Sequence, residues 1–412
     1  MSEPINFIRT PIPMLQIITG GGIRFSTMIE LWGSTKAGKS TTCYQAAGYF
    51  LEDYGDKALL KILDSESSFD EIRMKFVFGL DQRNDSRIEI KPAFFVEDGM
   101  KKIIDWVSEL PKDKYMMIIW DTISTSPTKS SYNATRDAKT SEDMTMWSGG
   151  QGDRPRVIKH YSRDIMSAIY NKNVSVWFPN QVFSSMTPYG ASEVSGEGSA
   201  FHHNLHYSLH FKRKEAVFEK GEENISNHTI SSVSLTKSKF SPEFKETPIY
   251  INNKLGGIID ERMSFFLHAK NQERIQNAGG YFYYKLVPDE KKKQLVPDPN
   301  AKGMRWKDLV ESDEAYNYLV KQMILDMRKK FPVVDKLYQI QGHPSLSSYE
   351  DYKKEDIVDL ETIQNKKSSF YLESFLGADK KSQNSSPISK KAEHIEKIDG
   401  TDKPDSKKVV LK

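Results

Sequence analysis

Three things are scarce in this chain. One of its 412 residues is cysteine, Cys43, so no intrachain disulfide can form and the composition suits a reducing compartment. No run reaches the ~20 consecutive apolar residues that a membrane-spanning helix needs, and the opening MSEPINFIRT has no signal-peptide layout. Charge of one sign is also lacking: 59 Lys and Arg against 56 Asp and Glu leave +3, so a surface for a polyanion has to be local. No unit of about 20–50 residues repeats. The expectation is a soluble, cytoplasmic protein, long enough for one large α/β domain with additions.

What is present is alternation. TMIELW, ALLKILD, RIEIKPA, YMMIIWD and VSVWFPNQ read as strands. Between them STTCYQAAGYFLEDYG, FDEIRMKFVFG, VEDGMKKIIDWVSEL and RVIKHYSRDIMSAIYNK read as helices. The near-continuous apolar run of YMMIIWD suits a strand covered on both faces, and the order predicts a mostly parallel sheet flanked by helices. From about 205 to 259, LHYSLHFKRK, TISSVSLTKSK and ETPIYINN read as consecutive strands extending the sheet in antiparallel fashion. Residues 262–335 are expected to hold two helices around GGYFYYKL and MRWKDL in a small α+β region. The polar remainder buries too little apolar area to offset its ordering entropy.

Gly33-Ser-Thr-Lys-Ala-Gly-Lys-Ser40 fits G-x-x-x-x-G-K-[ST], between a strand and a helix. Its glycines let backbone N–H groups of Gly33, Ser34, Thr35, Lys36, Ala37 and Gly38 wrap phosphates. Lys39 adds a charge near the β/γ oxygens, and the Ser40 hydroxyl can ligate Mg²⁺. Thr41 continues into the helix, whose N-terminus faces the anion. Lys36 matches no required position and is expected to be exposed. Asp121, closing YMMIIWD, is the expected Walker B acid, holding Mg²⁺ directly or through water; alone, such an aspartate is commonly a strand-end cap. Asp64, Glu66 and Asp70 cluster in LDSESSFD at the sheet edge where ligands bind, though an acidic turn is often only solvated.

These residues, in this order, resemble the RecA family of strand-exchange recombinases, over about residues 17–262. The resemblance implies a RecA-like P-loop NTPase core with ATP and Mg²⁺ as cofactors. It makes Glu66, in D-S-E, the base that activates the attacking water. It makes Asn180 and Gln181, ending VSVWFPNQ, the pair that senses the γ-phosphate. GEGSAFHHN, with Gly198 and Ser199, matches the glycine-rich start of the helix after the second DNA-binding loop. Lys237 and Lys239, in K-S-K, match lysines that reach a neighbouring subunit's ATP. After 262 the likeness narrows to phage recombinases of the UvsX type.

Three positions depart from the family pattern. Arg73 stands where the family stacks a tyrosine on adenine; with Asp70 it is the expected base-side contact, since a guanidinium also stacks. His202 replaces a lysine, and Phe183 an arginine.

Two segments are candidates for single-stranded DNA, about 135–156 and 182–198, both expected to be flexible. Arg154, Arg156, Lys159 and Arg163 supply cations on or before one helix; Phe183, Met186 and Tyr189 supply bulk to stack on or wedge between bases. Residues 1–16 are expected to form an arm on the neighbouring core, their apolar side chains having few local partners. The core spans 17–262, a C-terminal region 263–335, and a largely flexible tail 336–412. The expected function is an ATP-dependent recombinase forming a helical filament on single-stranded DNA and pairing it with homologous duplex, with single-strand-binding and mediator proteins as accessory partners. A ring-shaped helicase, or a repair regulator on the same fold, is the alternative.

Overall fold

The computed structural model describes residues 6–67, 69–137, 153–187, 190–195, 198–217, 226–289 and 294–341. All lie in the first of two units, residues 1–352.

The chain opens with β1 (Phe7–Ile8), α1 (Pro13–Thr19), β2 (Ile23–Arg24), β3 (Thr27–Gly33) and α2 (Lys39–Tyr54). There follow β4 (Ala58–Asp64), α3 (Glu71–Phe78), β5 (Ile88–Pro92), α4 (Val96–Ser108), β6 (Tyr115–Asp121) and α5 (Lys129–Asp137). Then come α6 (Asp153–Ile169), β7 (Val174–Thr187), β8 (Gly190–Ser195), α7 (Gly198–Asn204), β9 (Tyr207–Val217), β10 (His228–Ser238), β11 (Phe244–Asn252) and β12 (Ile258–Asp260). The last part holds α8 (Glu261–Asn271), β13 (Gln276–Ala278), β14 (Tyr281–Tyr283), β15 (Leu286–Asp289), β16 (Gln294–Pro297), α9 (Trp306–Glu311), α10 (Asp313–Lys330) and α11 (Pro332–Ile340).

Among the described residues one sheet of ten strands dominates, in the order β12-β11-β10-β9-β3-β7-β6-β4-β5, with β8 paired to β7. The six strands from β9 to β5 run parallel. The alternation of side chains along each strand divides the core. Ile29, Ile119 and Trp177 point to one face, where Ala46, Ala47 and Phe50 of α2 and Phe265 and Phe266 of α8 cover them. Met28, Ile118, Val176 and Phe178 point to the other, against Met100 and Ile103 of α4, Ile158 and Ile165 of α6 and Phe201 of α7. Both faces being covered, the apolar runs of β3 and β6 need no polar side.

Register positions the site. Gly33 pairs with both Gln181 and Phe211, and Asp64 pairs with Asp121. The ends of β3, β4 and β6 are therefore brought to one edge, beside Gln181 in the middle of β7. Pro179 lies within β7 opposite Leu31, yet costs no ladder bond toward β6, because that pairing ends at Ile119 and Trp177.

Several expectations need correction. β9 is parallel to β3, and among the described residues β10, β11, β12 and β8 are the antiparallel additions to the large sheet. Within the segment 182–198, read without regular structure, residues 182–187 pair in antiparallel fashion with residues 190–195, Val182 opposite Ser195 and Thr187 opposite Gly190. The first segment is helical where described, ending α5 at Asp137 and starting α6 at Asp153.

The N-terminal residues have partners within the chain. Ile8, Ile12, Leu15 and Ile18 are buried, α1 packs on α8, α10 and α11, and Tyr338 OH donates to Ile17 O (3.1 Å). Apolar residues of this segment thus have partners within the chain, distant in sequence. Helix α8 runs across the expected boundary at 262, and Leu309, Ala315 and Leu319 share one core with Ile29 and Phe50. Beyond 262 there are four helices and two small hairpins among the described residues, where two helices were expected. Residues 336–341 also belong to the packed structure: Leu337 and Tyr338 are buried. The rest of the expected tail, 342–412, lies outside the described residues. No helix among the described residues is long and apolar enough to cross a membrane.

Candidate functional site

The loop from Gly33 to Ser40 leaves β3 and enters α2. Gly33 has φ +138°, and a Cβ there would stand 1.9 Å from Phe211 O; Gly38 has φ +99° and caps α2. Both conformations favour glycine. No side chain caps the N-terminus of α2, so its first N–H groups are left for a ligand. Lys39 Nζ folds back over the loop and donates to Gly33 O and Ser34 O, each at 2.9 Å. Burial lowers the Lys39 pKa, while Asp121 and Glu66 act in the opposite sense. Ala37 is buried, Ser40 and Thr41 are half-buried, and Thr35 and Lys36 are exposed.

Asp121, at the end of β6, is 5% exposed. Tyr44 OH donates to its Oδ2 (2.9 Å), and Ser40 also hydrogen bonds to it. Burial pushes the Asp121 pKa up to about 6 against those two bonds, with Glu66 and Asp64 adding to the rise. A carboxylate held at this cost of desolvation, beside a serine hydroxyl, is a donor set that fits a divalent cation.

The turn after β4 is built by its own side chains. Asp64 Oδ1 accepts from Glu66 N and its Oδ2 from Phe69 N, both at 3.2 Å. Ser65 N donates to Asp121 O (3.0 Å), and Trp120 Nε1 donates to Ser65 Oγ (2.7 Å). Glu66 is left facing β7, where Gln181 Nε2 donates to its Oε1 (3.2 Å). Four separately read elements thus meet at one sheet edge: the loop, Asp121, Glu66 and Gln181.

Asp70 serves first as the N-cap of α3, its Oδ1 accepting from Ile72 N (2.9 Å) and Arg73 N (3.2 Å). Arg73 Nε donates to Gly256 O (2.9 Å), and its guanidinium lies 5.2 Å above the Phe78 ring. With Lys36, Gly38, Thr41, Arg213 and Thr229, Arg73 lines a cavity of about 450 Å³ beside the loop. A base and ribose could enter there among three cations.

Lys237 lies on β10 and Lys239 just past its end, both away from this loop. A β-bulge between Leu235 and Lys237 resets the register, so that Lys237 faces Ser208. Its Nζ donates to the carbonyls of His202 and His203 at the end of α7 (3.1 Å to the latter). Burial lowers the Lys237 pKa, with Lys239 adding to the fall and Glu30 opposing it. Lys239 is exposed.

Of the expected nucleic-acid cations, Arg156, Lys159 and Arg163 are exposed on α6 at spacings of three and four, hence on one side of the helix. Arg154 is committed elsewhere: Nη2 donates to Ile123 O (2.7 Å) and Nη1 to Ser126 O. Phe183 and Met186 are on β7 and Gly198 and Ser199 on α7, with side chains outside the described residues, as is all of Tyr189.

Two participants were missed in the sequence. Tyr44 stands four residues after Ser40 on α2, so both hydroxyls reach Asp121 from one helix face. Glu30 is a fully buried carboxylate in β3; its signal was a lone charge inside an apolar strand.

No family model matches the chain, and no curated protein matches it.

Proposed function

We propose that this chain is a RecA-type P-loop NTPase, an ATP-dependent recombinase that assembles on single-stranded DNA and exchanges strands with a homologous duplex. The observation that carries the reading is Gln181 Nε2 on Glu66 Oε1 at the same sheet edge as Lys39 and Asp121. A base and a γ-phosphate sensor are useful only beside a phosphate loop and a cation-holding acid.

On this reading Lys39 exchanges its carbonyl partners for β/γ oxygens, and Ser40 and Asp121 hold Mg²⁺, which when bound neutralises charge developing on the phosphates. Glu66 takes the proton of a water attacking the γ-phosphorus as the bond to the bridging oxygen breaks, leaving ADP and phosphate. Gln181, freed from Glu66, turns to the γ-phosphate and reports its presence to the hairpin that begins at Val182. Arg156, Lys159 and Arg163 bind the DNA backbone. Lys237 and Lys239 reach the ATP of a neighbouring copy.

Phosphate release with and without single-stranded DNA, together with electron microscopy of the same samples, tests the reading. DNA-stimulated release and helical filaments are expected; closed rings would overturn it in favour of a helicase. Lys237→Ala lowers ATP hydrolysis while leaving the monomer folded, and unchanged hydrolysis would remove this lysine from the interface.

A further inference from the structure

Glu30 raises a physical question that nucleotide chemistry leaves unanswered. A fully buried carboxylate in a central strand is costly unless it is held by donors. Oε1 accepts from Asn180 Nδ2 (2.9 Å) and from Ser195 Oγ. Among the described residues Oε2 accepts no hydrogen bond, and His202 Nδ1 stands 3.9 Å from it. These three partners come from different elements: Asn180 from β7, Ser195 from the end of β8, and His202 from α7.

The network continues on the nucleotide side. Thr122, which follows Asp121, donates from Oγ1 to Pro179 O and lies 3.2 Å from Asn180 Oδ1. Asn180 precedes Gln181, the partner of Glu66. On the far side Lys237 holds the carbonyls of His202 and His203. Glu30 therefore ties Asn180, next to Gln181 within β7, to Ser195 at the end of β8, with His202 of α7 close by. Cutting the tie would leave Asn180 Nδ2 and the Ser195 hydroxyl each one acceptor short.

We propose that Glu30 is a positioning residue that couples nucleotide at the Gly33–Ser40 loop to nucleic acid at the β7–β8 hairpin. It touches neither ligand. It acts by holding the foot of the hairpin, through Ser195, to the part of β7 that carries Gln181. The inference rests on the recombinase reading and assigns a residue that supports the signal carried by Gln181.

The test uses the full chain. The affinity for a fluorescent oligo-dT is measured with and without a non-hydrolysable ATP analogue, and the ratio of the two is the coupling factor. Glu30→Leu keeps the strand apolar and removes both acceptor atoms. It should reduce the coupling factor at least about tenfold, within the usual range of such couplings, while DNA-free ATP hydrolysis stays within about threefold. Glu30→Gln, which keeps Oε1 as an acceptor, should restore most of the coupling. If Glu30→Leu does not fold, Ser195→Ala removes the hairpin-side donor alone and should reduce coupling at least about threefold. Coupling unchanged in the folded Leu variant, or in Ser195→Ala, overturns the inference while the recombinase reading stands. A parent chain whose oligo-dT affinity ignores the nucleotide analogue overturns both.

Discussion

Lys39, Glu66, Asp121 and Gln181 are each held by another side chain or by nearby backbone, where β3, β4 and β6 end beside β7. Arg156, Lys159 and Arg163 stand exposed on one side of α6, and among the described residues Arg154 is the one of these cations tied to the fold. In the first region backbone register sets the distances, so a small change in one group alters the others. In the second region position along a helix sets only a direction, and the groups act as separate charges. Substitutions should therefore give steep, non-additive effects at the sheet edge and shallow, additive ones on the helix.

The largest effect is expected at the sheet edge. Glu66→Gln should lower the rate of ATP hydrolysis about 100-fold or more, in the range of general-base losses, with nucleotide affinity retained. Lys39→Ala should lose both. Combining Glu66→Gln with Gln181→Ala should cost much less than the product of the single losses, because each removes a partner of the other. Multiplicative losses in steady-state kinetics would break the contrast with α6.

A smaller effect is expected on the helix. Each of Arg156→Ala, Lys159→Ala and Arg163→Ala should weaken oligo-dT binding by a similar factor. Each should also reduce the slope of log affinity against log salt by about 0.7, the value for one phosphate contact on a single strand. Arg154→Ala should leave that slope unchanged and lower thermal stability, since it strips donors from the carbonyls of Ile123 and Ser126. A salt-slope change in the Arg154 variant would erase the distinction.

The smallest effect concerns stability and pH. Burial drives the pKa of His268 down to about 4, with Arg274 contributing, against an ordinary value of 6.5. Between those values the unfolded chain takes up a proton that the folded chain refuses, so this residue's contribution to stability falls as pH drops from about 6.5 to 4. The Asp121 shift has the opposite sense: its folded pKa is raised, so lowering the pH toward 4 relieves a cost. Comparing a variant with its parent separates the two. His268→Gln should show a smaller loss of melting temperature between pH 7 and pH 5 than the parent. An equal loss would mean that His268 takes up its proton in the folded state as readily as in the unfolded one.

The same contrast explains what could be read in advance. The run of small and glycine residues from Gly33 to Ser40, the apolar YMMIIWD and the alternation through residue 181 are local patterns, and they carried the parallel sheet and its edge. Tyr44 was not legible because its meaning depends on Asp121, 77 positions away. The pairing of residues 182–187 with 190–195 was not legible because their small, polar and apolar side chains follow no strict alternation, whereas the ladder continuing from β7 sets the register. The N-terminal segment looked partnerless because its partners, on α8, α10 and α11, lie some 240 to 320 positions later. Arg154 looked like its neighbours in sequence; only the fold brings the carbonyls of Ile123 and Ser126 beneath it.

Three-strand exchange between a circular single strand and a homologous linear duplex, with ATP and Mg²⁺, tests the proposed activity most directly. Joint molecules and nicked circles should form with the parent chain and be absent with Lys39→Ala. Hydrolysis stimulated by single-stranded DNA without any joint molecule would contradict strand exchange and leave a DNA-dependent ATPase of another kind.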